Sequence, residues 1–441
     1  MAVECEVCKN NKPFDMPEEL ITAAANGDLV LFCGAGISTE GKGVLPSSFY
    51  TTIQEELGAN DNSISFSRLM QMYCDKPDGR KNLLKKIRER FQYIESFPEL
   101  TRRATKFHRE LSEIFTIKTI ITTNWDTYFE DYCGAVPITI PEDYAFWDDS
   151  SRFVLKIHGS INNLSSIIAT EKDYEKCADS LRNGIIGATL KTVLATKTVV
   201  FIGFSFGDED FSQIINYLRE EMGEIYPHVY FVTLDKTLKE RLNYERSTAI
   251  VTSGAYFLHK LKHELIDSNV VFIPSSESFV SYVLDKMGEI HSKVSEIDNE
   301  QFPSVVYTLA YQDGVIHSFE RYLNTRYSGE YNNFGHLGML IENYGKLVLM
   351  SRNAGNYWDQ AYYEGYANGL TLLCLGDGKI EIADHFPFFY LPNAKEALVD
   401  LDVYMSELAR VSNNRSKFHR TAKMIVQNKG GEGLIMHHAP Y

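Results

Sequence analysis

The chain has 441 residues, 44% hydrophobic and 23% charged, with 59 acidic against 44 basic side chains and a formal net charge of −15. That length predicts two or three domains with ample material for a core, and the acidic balance disfavours generic binding to phosphate backbones. Seven cysteines in so long a chain do not make a disulfide framework, and no apolar run reaches the ~18 residues of a membrane span.

In chain order, the start is acidic and polar, without secretory character, so a cytoplasmic protein is expected. Cys5 and Cys8 form one CxxC without the second pair that a structural zinc site needs, which favours a disordered or locally packed N-terminus. A short helix is predicted over residues 17–26, then a first strand, Leu29–Cys33. A mostly helical insertion follows over about 49–114, including helices at 66–73 and 80–94. In the second, Lys81, Lys85, Lys86, Arg88 and Arg90 interleave with Leu83, Leu84 and Ile87, the pattern of an amphipathic helix with one solvated basic face. Further strands are predicted at 117–122, 153–157, Thr198–Ile202, 229–234 and 270–273, with helices at 183–195, 211–222 and 255–265. The alternation predicts an α/β domain over residues 1–290, a Rossmann-like parallel sheet with helices on both faces. Residues 291–441 are expected to form a second, mostly helical α+β domain for oligomerisation or partner binding. Its helices are placed at 334–350, 358–374 and 394–412, with a turn at 376–378 and a peripheral arm at 430–441. Its Tyr and Phe clusters read as core or subunit interface.

Four strand ends carry polar clusters: Gly34-Ala35-Gly36-Ile37-Ser38, Thr123-Asn124-Trp125-Asp126, His158-Gly159 and Gly203-Phe204-Ser205. Ligands of open parallel sheets sit outside the carboxyl ends of the strands, so these clusters describe one nucleotide cleft. The glycine pair lacks the third glycine of the dinucleotide fingerprint, since Thr39 stands there. Ser38 suits a phosphate or a helix cap equally. Asn124 and Asp126 straddle Trp125 and offer groups for a ribose hydroxyl, a water or a carboxamide; capping of the next helix is the alternative. His158 is a candidate general base at a position where histidines are often structural. Carboxylates at 207–210 suit a helix start. Asp235 could bind the ribose hydroxyls of adenosine or simply close a turn.

Together and in this order, these clusters resemble the sirtuin NAD-dependent family over roughly residues 20–290. The resemblance implies that Gly34, Ala35, Gly36, Ser38, Gly203 and Ser205 line the phosphates and adenosine side of NAD. Within TNWD, Thr123 joins the cofactor-binding set, Asn124 holds the nicotinamide ribose or an attacking water, and Asp126 binds the carboxamide. His158 becomes the base on the ribose hydroxyls. Phe49 stands where the family's flexible loop places an aromatic near nicotinamide. That loop departs from the family's GIPxFR pattern, because Tyr50 replaces its basic residue. Protein-deacylating sirtuins carry two cysteine pairs of a zinc ribbon between the HG and GxS elements. Here residues 160–197 hold Cys177 alone, so no metal is expected. Thr170-Glu171-Lys172-Asp173-Tyr174 resembles the zinc-free branch of bacterial antiphage proteins, which consume NAD and often work with a partner or sensor domain.

The resulting expectation is an NAD hydrolase that releases nicotinamide and ADP-ribose, acts in abortive infection, and is held in check by self-assembly or by a HerA-type ATPase. A protein deacylase or ADP-ribosyltransferase of the same fold is the first alternative. A non-catalytic sensor of NAD or ADP-ribose is the second.

Overall fold

The structure, a computed structural model, describes residues 7–8, 11, 13–59, 61, 63–147, 151–204, 228–237, 246–274, 276–375, 385–392, 394, 397–413, 416–429 and 436–437. Cys5, Ser205, the carboxylates at 207–210, the helix expected at 211–222, the turn at 376–378 and most of the arm at 430–441 lie outside the described residues.

Among the described residues, seven strands form one parallel sheet in the order β3-β4-β2-β1-β5-β6-β7. They are β1 (Leu29–Cys33), β2 (Thr119–Thr122), β3 (Val136–Ile138), β4 (Phe153–Lys156), β5 (Thr198–Ile202), β6 (Val229–Thr233) and β7 (Ser247–Val251). Successive side chains of a strand face opposite sides. Accordingly Leu29, Leu31 and Cys33 join one core cluster with Phe107, Phe129, Phe257 and Leu261. Val30 and Phe32 join another, with Ile186, Leu190 and Leu194. Helices thus cover both faces, and each large apolar side chain so buried contributes roughly 1.5–3 kcal/mol. Both strands missed from sequence, β3 and β7, are edges. Pro137 in β3 is tolerated there because an edge strand can spare one N–H, and β7 is only half-buried. The strand expected at 270–273 does not form. Val270 and Val271 instead donate back to Leu265 O, closing the end of the helix Gly254–Asp267.

After α1 (Glu18–Asn26), the insertion is helical as expected: α2 (Phe49–Leu57), α3 (Phe66–Cys74), α4 (Gly79–Glu95), α5 (Pro98–Ala104) and α6 (Lys106–Ser112). The basic face of α4 is more than a solvated face. Arg80 pairs with Asp173 at 2.7 Å, Lys86 with Glu56 at 2.6 Å and Arg90 with Glu40 at 2.8 Å.

The chain divides into two compact units, Met1–Val271 with Tyr327–Gly329, and Phe272–Arg326 with Glu330–Tyr441. The division precedes residue 290 because the helix Glu277–Ser295 places Phe279, Val280, Val283 and Met287 in the second core. That core surrounds the helix Val305–Thr325, buried on nearly every side. Its Thr308, Gln312, Asp313 and Ser318 are buried too, which erases the amphipathic period that marks a helix in sequence. The helix expected at 394–412 is shorter, Leu401–Ser412, because Asp400 caps its start by accepting from the Asp402 and Val403 N–H groups.

His437 is not peripheral. It is buried, its N–H donates to Asp313 Oδ2 at 2.8 Å, and its ring stacks on Tyr362 with centroids 4.2 Å apart. Burial lifts the Asp313 carboxyl to about 7, against the pull of the His437 N–H bond. A carboxyl raised in the folded state stabilises the fold fully below its unfolded value and loses that contribution as pH rises through the folded one. Between pH 4 and 7 the melting temperature should therefore fall more steeply in the natural protein than in Asp313→Asn. Superimposable profiles in a calorimeter would contradict this.

Candidate active site

The strand order reverses between β1 and β5, the place where open α/β sheets bind ligands. There the turns after Cys33 and Ile202 interlock. Gly34 N–H donates to Ile202 O at 2.9 Å and Gly36 N–H to Gly203 O at 3.0 Å. A Cβ on Gly34 or Gly36 would stand 2.8 Å from the Gly203 carbonyl oxygen, and Gly203 itself has a φ of +83°. These glycines are demanded by backbone packed against backbone, before any ligand is considered. Gly203→Ala is therefore expected to destabilise by about 1–3 kcal/mol, measured as a lower urea midpoint. An unchanged midpoint would show that the two turns can separate freely.

The turn after β1 also meets the loop after β2. Asn124 Nδ2 donates to Ser38 Oγ at 3.2 Å, and Ser38 Oγ donates to Asp126 Oδ2 at 2.8 Å. All three side chains are buried. Thr122 Oγ1 donates to Cys33 O at 2.9 Å and accepts the Asn124 N–H at 3.0 Å, fastening the loop to β1. Asp126 Oδ1 accepts the Tyr128 N–H at 3.2 Å where helix α7 (Tyr128–Cys133) begins. The capping reading of Asp126 is thus met by one carboxylate oxygen, while the other accepts from Ser38. Burial raises its pKa, while the Lys156 charge and the Ser38 bond pull it down. Thr123 contributes its N–H to Cys33 O at 3.2 Å.

Sequence reasoning passed over Lys156, the last residue of β4. Its Nζ donates to the Asp126 carbonyl and, at 2.8 Å, to Glu130 Oε1, with its side chain fully buried. The signal was present: a lysine inside an apolar strand must find partners, because an isolated buried charge is too costly. His108, also overlooked, is a core imidazole. Burial, reinforced by the Lys156 charge, pushes its pKa down to about 3, and neither ring nitrogen has a partner among the described residues.

His158 follows β4, and its buried ring lies edge-on to Tyr174 with centroids 5.0 Å apart. Gly159 has a φ of +80°, and a Cβ there would lie 2.2 Å from Ser166 O. Only glycine allows this turn, which lets Ile161 N–H donate to Trp125 O at 2.8 Å and joins the histidine loop to the Asn124 loop. Phe49 opens α2, with its N–H on the Glu40 carboxylate at 3.2 Å and its ring edge-on to Trp125 at 6.4 Å. Although Tyr50 replaces a basic residue, Arg90 reaches this loop from α4. It donates to Glu40 and to Ser47 O, and its guanidinium stands 6.0 Å from the Phe49 ring centroid. Ala35 lies in the short 3-10 turn Ala35–Ile37. Asp235 closes a turn, its Oδ1 accepting from the Thr237 N–H and hydroxyl at 2.8 Å.

In the loop after β2 and at the start of α7, Asn124 Oδ1, Trp125 Nε1 and Tyr128 Oη are buried without a hydrogen-bond partner among the described residues, as are Arg90 Nε and Glu130 Oε2. No group of three or more His, Cys, Asp or Glu side chains among the described residues is placed to hold a metal ion.

The sequence model of the SIR2-like domain matches residues 118–273. The chain thus carries a SIR2-like domain over that stretch. It is 24% identical over 279 residues to defense-associated sirtuin 2 of Bacillus subtilis, covering 59% of this chain and 26% of that protein. To the NAD(+) hydrolase ThsA of Enterococcus faecium it is 28% identical over 226 residues, 49% of this chain and 45% of that one. ThsA of Bacillus cereus (strain MSX-D12) is 26% identical over 198 residues, 43% of this chain and 39% of the other. The matched segments span between a quarter and a half of these relatives, and the domain match falls almost wholly in the first unit of this chain. Within it, the GAGIS turn of this chain precedes the domain match, while TNWD and HG fall inside it.

Proposed function

We propose that the first unit hydrolyses NAD between nicotinamide and ribose. The observation that carries this reading is Asn124. Its amide is fixed by donation to Ser38, which is itself fixed on Asp126, while Oδ1 stays buried without a partner among the described residues. Leaving a buried acceptor unpaired costs roughly 1–3 kcal/mol, and a ribose hydroxyl or a water would satisfy it. In the proposed reaction the C1′–N bond breaks with its electron pair leaving on nicotinamide. Water adds to the oxocarbenium-like ribose, and its proton passes to His158. Asp126 is assigned to the carboxamide, whose N–H its carboxylate would accept. The glycine turns and Ser205 are assigned to the diphosphate, and Phe49 to the nicotinamide side.

The names of two relatives, NAD(+) hydrolase ThsA and defense-associated sirtuin 2, support NAD depletion in antiphage defence. Such an activity must be restrained, and self-assembly or a HerA-type ATPase partner is proposed for that role in a cytoplasmic protein. The test is to incubate purified protein with NAD, with and without the candidate ATPase, and to resolve the products by chromatography. Nicotinamide and ADP-ribose in equal amounts are expected. Nicotinamide release that requires an acylated peptide would replace this reading with a deacylase. Tight NAD binding without turnover in every assembly state would replace it with a sensor.

A further inference from the structure

In the second unit, the helix Tyr357–Leu375, the helix Val305–Thr325, residues 387–391 and residues 397–398 line a half-open cavity of about 430 Å³. That volume lies in the range of small-molecule sites. Gln360, Glu364 and Asn368 line it at intervals of four, one stripe of a helix. Buried polar side chains normally spend their hydrogen bonds inside the protein, and Gln360 in this stripe does so only in part. Gln360 Nε2 donates to Tyr390 Oη at 3.0 Å, Tyr390 Oη donates to Glu364 Oε2 at 2.9 Å, and Asn368 Nδ2 donates to Tyr311 Oη at 3.1 Å. Gln360 is 7% exposed, yet its Oε1 has no partner among the described residues. No cation pairs with Glu364 among the described residues, nor any anion with Arg352, which also lines the cavity. The two charges share one cavity without bridging each other. Apolar Phe389 and Leu398 complete the wall.

We infer that this cavity is a binding site for a free amino acid or an amino-acid-like zwitterion. An ammonium group would donate to Gln360 Oε1 and Glu364, with the Tyr390 ring adding cation–π attraction. The carboxylate would take the forked guanidinium of Arg352, which suits that group in bidentate fashion. The side chain would rest on Phe389 and Leu398, a surface that favours apolar or aromatic members. The positive and negative ends of the ligand then meet the negative and positive walls in turn. A simple anion gains from Arg352 but meets Glu364, and a simple amine leaves Arg352 unanswered.

The experiment is isothermal titration of the full-length protein with the twenty common L-amino acids, followed by N-acetylated and C-amidated forms of the tightest binder. Saturable binding is expected for a subset with apolar or aromatic side chains. N-acetylation and amidation should each weaken it at least ~10-fold, as should Glu364→Gln, Gln360→Met and Arg352→Ala. Melting curves and NAD turnover of the variants serve as the folding control; all three residues lie outside the proposed catalytic cluster, so a failed amino-acid test leaves the NAD reading untouched. The inference is overturned if no amino acid binds. It is equally overturned if binding persists in the blocked forms, or if all three well-folded variants bind as the natural protein does.

Discussion

Replacing His158 with alanine should lower NAD turnover by ~10²–10⁴-fold, the range expected for a positioned acid–base group. Asn124→Ala should fall in the same range, for a different reason. It removes the buried acceptor Oδ1 and also the donor that holds Ser38 in the cluster. The structural loss is one hydrogen bond, worth about 1 kcal/mol, so a melting curve near that of the natural protein should accompany the kinetic loss. Asn124→Asp separates the two contributions. It keeps an acceptor but introduces a second carboxylate near Asp126, already raised by burial, so it should rescue little. If purified His158→Ala and Asn124→Ala both consumed NAD at near-natural rates, the assigned chemistry would be wrong. If they failed to fold, the comparison would move to Asn124→Ser, which is smaller and retains a polar oxygen.

The largest stability effect is expected at Lys156. Its ammonium is fully buried and shared between the Asp126 carbonyl and the Glu130 carboxylate. Removing one partner of a buried ion pair leaves the other charge uncompensated, at a cost of about 3–5 kcal/mol. Lys156→Met should accordingly lower the urea midpoint strongly, and Lys156→Met with Glu130→Gln should recover part of the loss, because neither charge then remains alone. Additive losses in this double-mutant cycle would mean that the two groups do not interact. The same lysine ties the Asn124–Asp126 loop to the strand that carries His158, so any folded variant should also show a raised KM for NAD. A folded Lys156→Met with unchanged KM would confine the lysine to a purely structural role.

How much of this was legible in the residues varied with the physics of each element. The central strands β1 and β5 were placed residue for residue because a strand buried on both faces is a short apolar run ended by glycine. The edge strands were lost because half-burial removes that signature, and in β3 a proline obscured it. The helix Val305–Thr325 was lost for the opposite reason, since burial on every side carries polar residues inward with their hydrogen bonds. Glu40 and Arg90 stand far apart in sequence, and nothing in either local pattern announces that they clamp the loop before Phe49.

By itself the sequence determined the alternating α/β plan and which residue types stand at the strand ends, because hydrophobic period and glycine placement are local properties of a chain. Tertiary structure alone decided that Gly36 lies against Gly203, that Ser38 links Asn124 to Asp126, and that a buried lysine supports them. Those relations depend on strand order. In a parallel sheet, neighbours are brought together by crossovers whose destination is chosen by the packing of the whole domain.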